Sequence, residues 1–277
     1  MPSRATLLLQ DLSEGILGLI YPSLCVGCEG PLVKPEQTKV TVETSWPNSP
    51  VPVYNRFTRW LCPECESLLE PVCPPFCSLC GNAFFGRSTV AFRCANCSHR
   101  RLWFDFARGA FRGEGLTREL IHRFKYENHL ELRGLLGTML GETLGNDPRL
   151  AAAENERWPL VPVPLHSRRF RERGYNQAWE LCLTLRRRFP GLPLAPILRR
   201  TRYTTMQASL HREDRLNNLQ GAFALSRLPW NRHRVSGRTV LLVDDVLTTG
   251  ATLSECARIL IEEGRAARVI AITLARG

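Results

Sequence analysis

Four consecutive aliphatic residues, Val240–Val243, lead directly into two acids and a Thr/Gly turn in the stretch VLLVDDVLTTGATL. An unbroken apolar run of that kind suits a strand buried on both faces, and such strands belong to parallel sheets covered by helices on each side. The neighbouring segments agree. FDFARGAFRGE predicts a strand and turn, LTRELIHRFKYENHLELRGLLGTMLGETL predicts helices broken near Asn128, and PLVPVPL predicts a short strand. NQAWELCLTLRRRF and TLSECARILIEEG have helical apolar spacing, and RVIAITLAR closes as a strand. This alternation predicts an α/β fold with a parallel sheet, whose ligands bind beyond the carboxyl ends of the strands.

On this reading Asp244 and Asp245 emerge together at a strand tip. The residues Leu247, Thr248, Thr249, Gly250, Ala251 and Thr252 then form a turn in which Gly250 lets the backbone approach a ligand. The helix that follows offers unpaired N–H groups and the positive end of its dipole, which favour phosphate. No lysine follows Gly250, and this excludes a nucleoside-triphosphate loop of the Walker type. Carboxylates repel phosphate but accept hydrogen bonds from hydroxyls. A sugar phosphate meets both demands, with its phosphate in the turn and its ribose hydroxyls on the two acids.

Eight of the eleven cysteines form four Cys-x-x-Cys pairs: Cys25/Cys28, Cys62/Cys65, Cys77/Cys80 and Cys94/Cys97. Each pair can bring two thiolates onto one metal, and two pairs complete a closed four-cysteine zinc site. The last two pairs are separated by 13 residues, near ordinary ribbon spacing, whereas 33 residues with several prolines separate the first two. Sequential ribbons and a cross-braced arrangement use the same cysteines, so the spacing leaves the pairing open. Closed thiolate sites have no position for substrate, so both Zn²⁺ ions are expected to be structural and to supply folding energy. Cys73 could replace a member of the Cys77/Cys80 pair, but a structural or free thiol is expected. Cys182 and Cys256 fall in helical patterns and are expected in the core.

Residues 1–104 carry 9 Lys+Arg against 8 Asp+Glu, while residues 105–277 carry 28 against 18. Nearly all of the net charge of +11 therefore lies in the second part. Such a field favours anionic ligands, whether phosphorylated metabolites or nucleic acid. The opening ATLLLQDLSEGILGLI is apolar but interrupted by Asp11 and Glu14 and lacks a small-residue cleavage site. It predicts an amphipathic helix within residues 1–20 rather than a membrane span or signal peptide, and a cytoplasmic protein.

The aliphatic run with Asp244–Asp245 and TTGAT resembles the phosphoribosyl pyrophosphate signature of type I phosphoribosyltransferases. With the four cysteine pairs, RFKYENH, VPVPLHSRRFRERGYNQ and LRRTRYTTMQASLHREDRLNNLQGAF, in that order, nearly the whole chain resembles the ComF/GntX family of competence-associated proteins. The resemblance implies a double zinc ribbon over residues 21–102 and a phosphoribosyltransferase domain over 103–277. It also implies binding of phosphoribosyl pyrophosphate with Mg²⁺, and a role in handling incoming single-stranded DNA, with a competence helicase as a possible partner. Val163, Pro164, Leu165 and His166 take the place of the pyrophosphate loop. The 199–218 stretch resembles a mobile loop that closes over the ligand, with Thr205, Gln207, Arg212 and Arg215 as polar candidates, of which Gln207, Arg212 and Arg215 are the catalytic ones. Arg168, Arg169 and Arg173 could face pyrophosphate or nucleic acid, while Lys125 and Tyr126 are possible ligand contacts without a derivable role. The motifs leave two functions open: a Mg²⁺-dependent phosphoribosyltransferase, or a non-enzymatic adaptor that binds the same ligand and holds DNA or a helicase.

Overall fold

A computed structural model describes residues 23–32, 56–84, 91–203, 219–226 and 233–277. The expected helix of residues 1–20 and the candidates Thr205, Gln207, Arg212 and Arg215 lie outside them. The chain divides into two compact units, Met1–Leu69 and Glu70–Gly277. The described part of the smaller unit is a metal knuckle pair with one short helix at Pro63–Ser67, started by Pro63 at a position that needs no N–H.

The larger unit is built on a four-stranded sheet in the order β1-β6-β5-β2, with every neighbouring pair parallel. β1 spans Phe106–Arg112, β2 Leu160–Pro162, β5 Thr239–Leu247 and β6 Arg268–Arg276. In sequence between β2 and β5, β3 (Leu198–Arg200) and β4 (Phe223–Leu225) form a separate antiparallel pair. The aliphatic runs of β5 and β6 are buried, as strands covered on both faces require.

Among the described residues, helices of seven residues or more that accompany the sheet are α1 Gly115–Tyr126, α2 Arg133–Asn146, α3 Ser167–Arg173, α4 Gln177–Arg188 and α5 Ala251–Glu262. The break expected near Asn128 is present, for Asn128 takes a left-handed φ of 64° just after α1. α2 and α4 pack against each other and against the sheet, while α5 packs on β4, β5 and β6. Val240 and Leu242 of β5 join Val269 and Ala271 of β6, Cys256 of α5 and Phe223 of β4 in one core cluster.

β1 would be an exposed edge strand without the segment before it. Residues 70–80 lie along it, with Val72 N–H donating to Ala110 O at 2.9 Å, Arg112 N–H to Glu70 O at 2.8 Å and Ala107 N–H to Leu79 O at 2.7 Å. Pairing satisfies the edge and blunts its tendency to aggregate. It also joins Cys77, Cys80 and Cys97 to the same core cluster as α5.

Candidate functional site

The strand holding the acidic pair runs further than its aliphatic run. Asp244 pairs with Thr273 of β6, and the ladder continues to Leu247 opposite Arg276. The acids therefore sit inside the strand, not at its tip, because hydrogen bonding to β6 carries the strand past its last buried valine. Asp245 is buried and receives Lys125 Nζ at 2.9 Å. Asp244 Oδ1 accepts from the Asp245 N–H at 2.9 Å. Burial raises the Asp244 carboxyl, repulsion by Asp245 adds to this, and Lys125, the Asp245 N–H and Arg200 pull it back, leaving it at about 7.

The turn follows at once. Gly250 has φ of +81°, and a Cβ there would approach the Leu247 and Phe104 side chains at 3.6 Å. The backbone thus takes a left-handed step that suits glycine. Thr249 Oγ1 accepts from Ala251 N–H at 3.4 Å at the start of α5. Behind the turn, Arg276 Nη1 donates to Leu247 O and Thr248 O, both at 3.0 Å.

Val163, Pro164, Leu165 and His166 leave the carboxyl end of β2, so the structure brings them beside Asp244. Pro162 pairs with Val243, and Val163 N–H donates to Val243 O at 2.9 Å. Asn176 holds this loop by donating to Val163 O at 3.0 Å, and caps α4 by accepting from Ala178 N–H at 3.0 Å. Tyr175 donates its hydroxyl to Phe124 O at 2.5 Å, which ties the end of α1, and with it Lys125, to the same motif. Tyr175 and Asn176 lie in the RGYNQ stretch, but nothing in their spacing reveals these distant partners.

The helix α3 was not apparent in the sequence, which reads there as a charged loop. His166 caps it by accepting from Arg168 N–H at 3.2 Å, and Gly174 ends it with φ of 75°. Its surface combines cations with rings. Arg168 and Arg169 stand over Tyr203 at 4.8 and 5.9 Å, and Arg173 over Tyr126 at 4.7 Å. Tyr126 is 56% exposed and Phe170 49%, too much for core packing to explain. Arg186, by contrast, joins Arg157, Arg234 and Arg238 around a cavity of about 370 Å³ that includes Pro159, at the amino end of β2. The arginines of the basic half therefore do not form one surface.

The cysteines pair sequentially. Cys25, Cys28, Cys62 and Cys65 form one tetrad and Cys77, Cys80, Cys94 and Cys97 another, with all sulfurs of a tetrad within 4.8 Å of one another. Cys28 Sγ is 3.7 Å from Cys62 Sγ, and Cys80 Sγ is 3.8 Å from Cys94 Sγ. Four thiolates around zinc at about 2.3 Å stand about 3.8 Å apart, so the donor set and spacing fit that ion. Backbone N–H groups of Cys62 and Cys94 donate to Cys25 Sγ and Cys77 Sγ at 3.3 Å. Burial works against ionisation of Cys25, yet amides of Cys62, Cys28 and Gly27 outweigh it and bring the thiol down to about 6. Cys73 stays outside both tetrads, and Cys182 and Cys256 are buried.

A phosphoribosyl transferase domain model matches residues 180–277. Competence protein F of Haemophilus influenzae is 32% identical over 205 residues, which cover 74% of this chain and 85% of that protein. The chain belongs to the ComF family. Competence protein ComFC of Bacillus subtilis is 25% identical over 78% of this chain and 84% of its own. DNA utilization protein YhgH of Escherichia coli K12 is 36% identical over 53% of this chain and 62% of its own. This ComF-family chain thus carries a type I phosphoribosyltransferase fold with two N-terminal cysteine tetrads suited to a double zinc ribbon. Among its described residues, no helix is long and apolar enough to cross a membrane.

Proposed function

We propose that this chain binds phosphoribosyl pyrophosphate with Mg²⁺ at the carboxyl end of β5 and serves the cytoplasmic handling of single-stranded DNA during its uptake. The observation that carries the first part is the join of three groups: Asp244 and Asp245, the Leu247–Thr252 turn, and Lys125 bonded to Asp245. The turn suits the 5-phosphate, and the acids suit ribose hydroxyls. Val163–His166 supply the place for pyrophosphate beside them. Mg²⁺ bound with the ligand would be held beside Val163–His166 and the Asp244 and Asp245 carboxylates, and would supply neutralisation of the pyrophosphate charge.

The chemistry suited to this arrangement is transfer of the phosphoribosyl group. The bond from the anomeric carbon to pyrophosphate breaks and its electron pair leaves with pyrophosphate, while a nitrogen lone pair of an acceptor forms the new bond. The reaction requires positioning and charge stabilisation rather than a protein nucleophile. The names of the relatives, competence and DNA utilization, support the DNA side. So does the surface formed by α3 and the end of α1, where exposed Phe170 and Tyr126 lie among arginines, since stacking platforms amid positive charge suit single strands. That surface favours a second reading, an adaptor that binds the same ligand and holds DNA or a helicase without transfer.

The deciding experiment mixes purified protein, phosphoribosyl pyrophosphate and Mg²⁺ with bases and oligonucleotides, while calorimetry follows binding. Binding with acceptor-dependent pyrophosphate release identifies a transferase. Binding without release identifies the adaptor, and no binding rejects the site.

A further inference from the structure

Arg276 is 9% exposed and all three nitrogens of its guanidinium are engaged. Nε donates to Cys80 O at 3.1 Å, and Nη2 lies 3.6 Å from Cys80 Sγ. Nη1 donates to Leu247 O and Thr248 O, each at 3.0 Å. One side chain thus spans from the second cysteine tetrad to the turn that follows the acidic pair. Gly109 of β1 leaves it room, because a Cβ there would lie 2.7 Å from Arg276 Cβ.

Two physical consequences follow. A trans peptide directs its N–H opposite to its C=O. With the carbonyls of Leu247 and Thr248 drawn toward Arg276, the N–H groups of Thr248 and Thr249 face the other way, as donors to an anion must. The second consequence is electrostatic. The guanidinium of Arg276 donates to oxygens of Cys80, Leu247, Thr248 and Gly277, and a buried cation is costly without compensating negative charge. Four thiolates around Zn²⁺ carry roughly two net negative charges, which places the compensation at Cys80.

We infer that Arg276 is a positioning residue through which the metal-loaded second tetrad holds the sugar-phosphate turn in its binding shape. The inference rests on reading Leu247–Thr252 as a phosphate turn. It assigns the second ribbon a part in ligand binding besides its part in folding. The occupancy of the Cys77, Cys80, Cys94 and Cys97 site then sets the affinity of a ligand that touches none of these cysteines.

The test uses the full zinc-loaded chain and three variants: Arg276→Lys, Cys94→Ser and, as a thiol control in the same segment, Cys73→Ser. Hydrogen exchange of peptides across 246–253 reports on the turn without any ligand. Zinc content, melting temperature, phosphoribosyl pyrophosphate affinity and retention of a single-stranded oligonucleotide accompany it. Lysine keeps the charge but cannot span both sets of acceptors. Arg276→Lys should retain both zinc ions and the oligonucleotide affinity, exchange faster at 248–250, and bind phosphoribosyl pyrophosphate about tenfold more weakly, the loss of one charged hydrogen bond. Cys94→Ser should lose one zinc and show the same local change in exchange, and Cys73→Ser should show neither.

Unchanged exchange at the turn in Arg276→Lys or Cys94→Ser overturns the inference. Faster exchange throughout β5 and β6 in Arg276→Lys also overturns it, since Arg276 would then support the fold in general. Failure of the wild type to bind phosphoribosyl pyrophosphate rejects the proposed function instead, while the exchange measurements still decide whether the tetrad and turn are coupled.

Discussion

Lys125 Nζ stands 2.9 Å from Asp245 Oδ1, joining the last turn of α1 to the acidic pair of β5. Both side chains are largely withdrawn from water, 18% and 11% exposed, so the pair is screened less than a surface ion pair. Lys125→Met should leave Asp245 without its cation and move the Asp244 carboxyl further up, because Lys125 is one of the groups that lowers it. Phosphoribosyl pyrophosphate binding at pH 7 should weaken about tenfold or more and recover partly at pH 8.5. Calorimetry at both pH values checks this, and weakening that is equal at both would reject the electrostatic explanation.

The position of Asp244 predicts a specific pH dependence. Its folded value of about 7 lies above the ordinary 3.8. The folded state therefore holds a proton that the unfolded chain has released, and stability from this group is fully present below pH 3.8 and lost as pH rises through about 7. Between pH 5 and 8 the wild-type melting temperature should fall relative to that of Asp244→Asn, which has no such proton to lose. Ribose hydroxyls need the ionised acceptor, so ligand binding near pH 6.5 should release protons. Calorimetry in two buffers of different ionisation enthalpy measures that release, and its absence would remove Asp244 from the binding reaction.

The ligand control separates hydroxyl recognition from turn capping. Asp244→Asn with Asp245→Asn should weaken phosphoribosyl pyrophosphate binding at least tenfold while inorganic phosphate binds equally or better, since nearby negative charge is gone. Equal weakening of both ligands, with a lower melting temperature, would show that the acids shape the turn.

Metal content gives an independent check. Elemental analysis should find two zinc ions per chain, with Cys77→Ser losing one and Cys73→Ser losing none, because Cys73 lies outside both tetrads. A wild type containing one zinc ion or none contradicts the two-site assignment.

Single-stranded DNA should bind with steep salt dependence, log affinity falling by about 0.7 per phosphate neutralised for each unit of log salt. If bases stack on the α3 surface, Tyr126→Ala with Phe170→Ala should weaken binding about tenfold or more, a loss consistent with about 1–3 kcal/mol for each stacked base. Arg186→Ala, at the amino end of β2, should have a smaller effect at fixed salt. A larger effect of Arg186→Ala in filter-binding titrations would relocate the DNA path to the arginine-lined cavity.

Local pattern was enough to read the parallel α/β core, the turn after β5 and the four cysteine pairs, because burial on both faces, left-handed glycine and thiolate spacing are properties of short segments. The same pattern leaves cysteine pairing open and places the acids at a strand tip. Only the packed structure extends β5 along β6, which places Asp244 and Asp245 within the strand. It alone gives Lys125 its partner and brings Arg276 to Cys80, 196 positions away in sequence. It also incorporates the second tetrad in the same compact unit as the sheet, where residues 70–80 cover the edge of β1. Periodicity records which side chains leave water, whereas the partner of a charge or a strand edge depends on which distant segments packing brings within hydrogen-bonding distance.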